Sequence, residues 1–250
     1  MAVTTLRQEL RAAVESRHCR THAYYQMWRD GTLKREAIAG WVQEHYHFTR
    51  DVKWLNAVMP CRVPYADVRA AYQESIDEEM DPNDPHINIL LRFGEAMGLD
   101  PEEVKRSKPL PTTQALLDWI FILSRHRSMV EVIAGAQIGI ESQPPDIFGQ
   151  LVQPLKEHYG CTDDQIGFFP THVEADTGHG GMAYDLVEKY ARTEEQRQRA
   201  ILAAREGAEK RWLYIDGIYI HYQLGYKLTD DRWHDYRAEY GPSPFYDAVY

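Results

Sequence analysis

Apolar residues recur at spacings of three and four along most of this chain, and no block of useful length alternates apolar with polar residues. That periodicity excludes a sheet protein and predicts helices packed on helices. Between Arg35 and Met59, Ile38, Trp41, Val42, Tyr46, Phe48, Leu55 and Val58 mark one long amphipathic helix, with Pro60 as its stop. Asp30-Gly31 before it reads as a turn. A second helix is expected from Tyr65 to Glu79, resuming after Asp81-Pro82-Asn83-Asp84-Pro85 and running to Gly98. A third spans Thr113 to Glu141 and stops at Gln143-Pro144-Pro145. Ile147–His158, Thr171–Tyr190 and Glu194–Gln223 complete the set. The expectation is a single all-α domain over residues 1–250, a bundle of about seven helices. The aromatic, polar segment 229–250, with Tyr236, Tyr240, Tyr246 and Tyr250, is expected to pack on the bundle or on a second subunit.

Composition narrows the function. Lys and Arg number 28 against 38 Asp and Glu, a net charge of −10. An acidic chain of pI ≈ 5.6 lacks the basic face that a phosphate backbone requires, so nucleic acid is excluded as a partner. The apolar stretch near Trp119–Leu123 is broken by Ser124-Arg125-His126-Arg127 and is too short for a bilayer. The N-terminus is charged and amphipathic, unlike a signal peptide. Cys19, Cys61 and Cys161 form no CxxC pair, which suits reduced thiols and a cytoplasmic location.

Chemistry concentrates in His172-Val-Glu-Ala-Asp176-Thr-Gly-His179. On a helix, positions i, i+4 and i+7 share one face. Two imidazoles and a carboxylate on one stripe are ligands that non-haem iron accepts. Glu79 and His86 are seven residues apart, about two helical turns, with the proline-rich breaker between them. Glu141 ends the apolar run Val130–Ile140, where a buried carboxylate needs a partner or a metal. Read singly, these are solvated acids and capping histidines. Read jointly, Glu79, His86, Glu141, His172, Asp176 and His179 form a two-metal ligand set without sulfur.

In these motifs the chain resembles the haem-oxygenase-like di-iron oxygenases, of the same superfamily as thiaminase-like proteins, pyrroloquinoline-quinone synthase and the p-aminobenzoate-forming CADD-type proteins. The family carries a Glu and a His on one helix, a Glu ending another and H-x3-D-x2-H on a third. By position these fall on Glu79 and His86, on Glu141, and on His172, Asp176 and His179. Glu141-Ser-Gln-Pro and His22-Ala-Tyr24-Tyr25-Gln-Met-Trp28 are similar to stretches of the p-aminobenzoate-forming members. Leu91-Arg-Phe-Gly-Glu-Ala-Met-Gly-Leu99 resembles a stretch of the quinone synthase, which uses no metal. The resemblance implies a haem-oxygenase-like bundle with two Fe2+ ions, or Mn at one site, and O2 as co-substrate. Two departures stand out. In the p-aminobenzoate-forming group a tyrosine of the enzyme is itself consumed, and its match is Tyr25. Yet Leu151 stands where that group has a lysine, and Ile140 where it has a tyrosine.

The expected activity is therefore O2-dependent oxidation or oxygenation of a small amino-acid-like or aromatic amine substrate, within a biosynthetic pathway. An external electron donor and a homodimer are the further partners it entails. Asp216, with Trp212, Tyr219 and Ile220 beside it on the last helix, is expected to point inward and hold a substrate ammonium or a tyrosine hydroxyl. Glu131, with Arg125 and Arg127 one turn earlier, would suit an amine and a carboxylate, or make a structural ion pair. Glu44 and His47 form an alternative metal or second-sphere pair, and Tyr25 is either reactive or core. The rivals are a metal-free oxidase or synthase of the quinone-synthase type and a non-catalytic helical binding protein.

Overall fold

The computed structural model describes residues 4–80 and 85–229, apart from the side chains of residues 53–55 and 174–180. Among the described residues there are helices and no strands. In chain order they are α1 (Leu6–Glu15), α2 (Ala23–Arg29), α3 (Arg35–Arg62), α4 (Ala66–Glu79), α5 (His86–Ala96) and α6 (Pro101–Arg106). There follow α7 (Pro111–His126), α8 (Met129–Val132), α9 (Pro144–Phe148), α10 (Val152–Tyr159), α11 (Phe168–Tyr190) and α12 (Glu194–Ile218). Two π-helical stretches extend this set, Ile133–Glu141 after α8 and Tyr219–Gln223 after α12. The segment 230–250, with the expected packing of its tyrosines, lies outside the described residues.

The fold class matches expectation, but about seven helices become roughly twelve, because long periodic runs are cut by local chemistry. The run Thr113–Glu141 breaks at Arg127–Ser128. Ser128 caps a new helix: its hydroxyl accepts from the Glu131 N–H, and the Glu131 carboxylate accepts from the Ser128 N–H at 3.1 Å. Helix α3 passes through Pro60 and ends at Arg62. Its stop is Pro64, whose ring forces Val63 into extended backbone, φ −118° and ψ 139°. The run Ile147–His158 splits into α9 and α10.

Buried side chains fall into two clusters. One, built on α2, α3, α5, α9 and the start of α11, is aromatic: Tyr24, Trp28, Trp41, Phe93, Phe148, Phe168 and Phe169. Trp28 packs edge-on to Trp41 at 5.4 Å between ring centres, and Trp41 stacks on His45 at 4.4 Å. The other lies between α4, the first π stretch, α12 and the later turns of α11, where Ala134, Ile138, Ala200, Ala203, Ala204 and Ala208 are fully buried. Small residues there let backbones touch. A methyl group on Gly207 would overlap the Gly135 carbonyl oxygen, and one on Gly139 would come within 2.7 Å of the Ala204 carbonyl. No helix among the described residues is long and apolar enough to cross a membrane.

Candidate metal centre

Glu79 is the last residue of α4 and His86 the first of α5. They were expected on one face of a distorted helix. Instead the chain leaves the helix at Met80 and re-enters it after Pro85, so two helix ends face each other across the gap. His86 Nδ1 lies 3.2 Å from Glu79 Oε1. His172, in the second turn of α11, approaches from the other side, its ring centre 4.6 Å from that of His86. One donor atom from each of Glu79, His86 and His172 falls within a group no wider than 4.8 Å.

The orientation of His172 follows from its helix. Its Nδ1 sits 2.8 Å from the Phe168 carbonyl one turn earlier, a contact that places the proton on Nδ1 and leaves Nε2 as a lone pair. Phe168 also packs against the imidazole at 4.0 Å between ring centres. Burial, reinforced by the neighbouring His86, lowers the His172 pKa to about 4, so the ring is neutral at pH 7, the form that ligates metal.

Glu141 closes the site from the π stretch. With more than four residues per turn, π geometry stacks Gln137 and Glu141 on one face, and both line the same cavity as Glu79, His86 and His172. Burial raises Glu141 to about 7, against the pull of Arg211, and the Glu79 charge adds to the rise. The half-buried Glu141 lines this cavity, of about 40 Å³, space for roughly three waters. Glu79 Oε2 is buried and makes no hydrogen bond among the described residues. Two crowded carboxylates, two imidazoles and an orphaned carboxylate oxygen fit a divalent first-row metal. The side chains of Asp176 and His179 lie outside the described residues, although α11 carries both positions.

The other candidates sit elsewhere. Glu44 is fully buried, but accepts from the Leu110 N–H at 2.8 Å, the Thr113 hydroxyl at 2.5 Å and the Tyr222 hydroxyl at 3.1 Å, tying α3 to α7 and to the second π stretch. His47 meets Ser107 Oγ at 3.1 Å. Neither lines the cavity, because the register of α3 turns Phe48, Thr49, Val52 and Asn56 toward it instead. Glu131 is occupied by its capping box, with Arg127 at 3.7 Å, and Arg125 lies over the Phe121 ring. Asp216 accepts from His22 Nε2 at 2.9 Å and is not among the residues that line the cavity. The His22 Nδ1 is already used by the Tyr24 N–H, which fixes that tautomer. Tyr25 is core, 3% exposed and stacked on Trp28 at 6.1 Å.

Sequence reasoning missed Thr49, Asn56, Ser75, Gln137 and Arg211. Ser75 and Gln137 each precede a candidate ligand by four residues, which was the available signal. Thr49 and Asn56 are polar positions on an otherwise apolar face of α3. Arg211 left no such trace. It is 2% exposed in the middle of α12, faces Glu141, Tyr25 and Cys19, and its Nε has no partner among the described residues.

A family model described as iron-containing redox enzyme matches residues 39–212. The chain is 27% identical over 232 residues to the 4-aminobenzoate synthase of Nitrosomonas europaea, covering 89% of this chain and 94% of that protein. It is 24% identical over 226 residues to the pyrroloquinoline-quinone synthase of Acidiphilium cryptum, covering 89% and 91%. Among solved structures, a domain of unknown function with a haem-oxygenase-like fold from Shewanella denitrificans aligns with a TM-score of 0.73 at 18% identity, over 92% of this chain and 98% of that one. That last likeness is one of fold. The protein is thus an oxidoreductase-type enzyme with the haem-oxygenase-like all-helical fold, and the chain belongs to the family of iron-containing redox enzymes.

Proposed function

We propose that the protein is a non-haem di-iron oxidase or oxygenase that consumes O2 and acts on a small amino-acid-like or aromatic amine substrate. The observation that carries this reading is the convergence of Glu79, His86 and His172 beside Glu141 in one cavity. Glu79, His86 and His172 would hold one iron, and Glu141 with Asp176 and His179 the other. Bound iron would supply O2 binding and one-electron redox steps. The protein prepares the place for it. The Phe168 carbonyl fixes the His172 tautomer. Burial keeps that ring neutral, so no proton has to leave it. Phe48 and Val52 form an apolar wall that limits water, while Thr49, Asn56 and Gln137 offer polar atoms to orient a substrate amine.

Anaerobic titration with Fe(II), read by elemental analysis, tests this. Two irons per chain are expected, falling to one or none in His172→Ala with helicity unchanged. A chain that takes up no iron overturns the assignment.

A second reading, self-consumption in the manner of a 4-aminobenzoate synthase, has one observation in its favour. The Tyr25 hydroxyl is buried, faces Arg211 and the Trp41 indole, and completes no hydrogen bond among the described residues. Intact-protein mass spectrometry after O2 exposure of the iron-loaded chain separates the two readings. An unchanged mass with sustained O2 uptake leaves the catalytic one.

A further inference from the structure

A second void adjoins the metal cavity. Ala71 and Tyr72 of α4, Ile133 of the π stretch, and Met182 and Ala183 of α11 form its walls. Ser75 and Gln137 belong to both linings, so these two residues, one turn before Glu79 and one turn before Glu141, stand between the two spaces. The void holds about 20 Å³. An engineered cavity that takes benzene measures about 150 Å³, so an aromatic ring is excluded, whereas a water-sized or diatomic molecule fits. The surface it presents is almost all carbon. The space is partly open to solvent past the half-buried Met182, but its carbon lining offers water few of the two to four polar partners it needs to stay. Small apolar molecules gain free energy by leaving water for such a lining.

We propose that this void is a holding pocket for molecular oxygen beside the metal centre, with Ser75 and Gln137 between the two. Size favours a diatomic, the carbon lining favours an apolar one, and the shared residues put it next to the metal cavity. Tyr72 marks the boundary: its hydroxyl is buried toward Gln137 and makes no hydrogen bond among the described residues. The unbranched thioether of Met182 can shift to admit the molecule. The role rests on the O2-dependent reading above.

Crystals pressurised with krypton, an apolar atom close to dioxygen in size, test the pocket itself. One krypton peak is expected against Ala71, Ile133 and Met182, and none in Ala183→Leu, or in Ala71→Val should the first variant fail to fold. No peak in the unaltered protein, or a peak elsewhere alone, overturns the proposal. Stopped-flow oxidation of the iron(II)-loaded chain at varied O2 tests the role. The O2 concentration for half-maximal rate should rise about fivefold in the variant that loses krypton, with the limiting rate and iron content unchanged. An unchanged O2 dependence overturns the holding role. A chain without iron overturns the O2-dependent reading, whereas a missing krypton peak with iron bound overturns the pocket alone.

Discussion

The two cores of this protein are built on opposite principles, and the candidate metal centre lies where they meet. Around Trp28 and Trp41 the space is filled by large rings in edge and stacked contacts. Around Gly135, Gly139 and Gly207 it is closed by bringing helix backbones together. His172 comes to the centre with its ring against Phe168 of the aromatic half. Glu141 comes at the end of the π stretch that packs on Ala203, Ala204 and Gly207. The contrast predicts how each half breaks: the aromatic one by taking atoms away, the small-residue one by adding them.

Trp41→Ala should show the largest effect. Truncating a fully buried indole typically costs about 3–5 kcal/mol, read as a drop in denaturant midpoint. A loss under about 1 kcal/mol would mean that the rings are not the load on which this half depends.

The aromatic half also holds a titratable weak point. Burial raises Glu44 to about 7, well above its ordinary 4.5, in spite of three donors. The folded state therefore binds the proton more tightly than the unfolded state. The stability it contributes is complete below pH 4.5 and is lost as pH rises through 7, on the order of 3 kcal/mol. Glu44→Gln should flatten unfolding stability between those pH values, and a slope that persists in the variant sinks the attribution.

Gly207→Ala should cost about 1–3 kcal/mol or more, because the added methyl meets backbone, which can yield only if whole helices shift. It sharpens the comparison in another way. A single methyl group that pushes α12 off the π stretch should also weaken iron uptake through displaced Glu141. Lost stability with intact iron binding would show that the centre does not depend on this contact.

Legibility followed the range of the interactions involved. The all-helical class was readable because burial of one helix face repeats every three to four residues. The number of helices was not, since the cut at Ser128 depends on a capping box within a continuous apolar run. Glu79, His86, Glu141 and His172 were readable as candidates from residue type and spacing. Glu44 was readable as a buried carboxylate but not as a hydrogen-bond hub, because its donors come from Leu110, Thr113 and Tyr222, far along the chain. Arg211 was hidden among the charged positions of α12.

By itself, then, the sequence determined helical periodicity, the proline and glycine punctuation and the acids and histidines available for a metal, because these depend on neighbours within a few residues. Tertiary structure alone decided that Glu79 and His86 meet across two helix ends rather than along one. It decided which of eleven histidines and 38 acids share a cavity. Donor atoms converge only after distant helices have packed, and the depth of that packing follows from side-chain volumes and backbone contacts that no local spacing records.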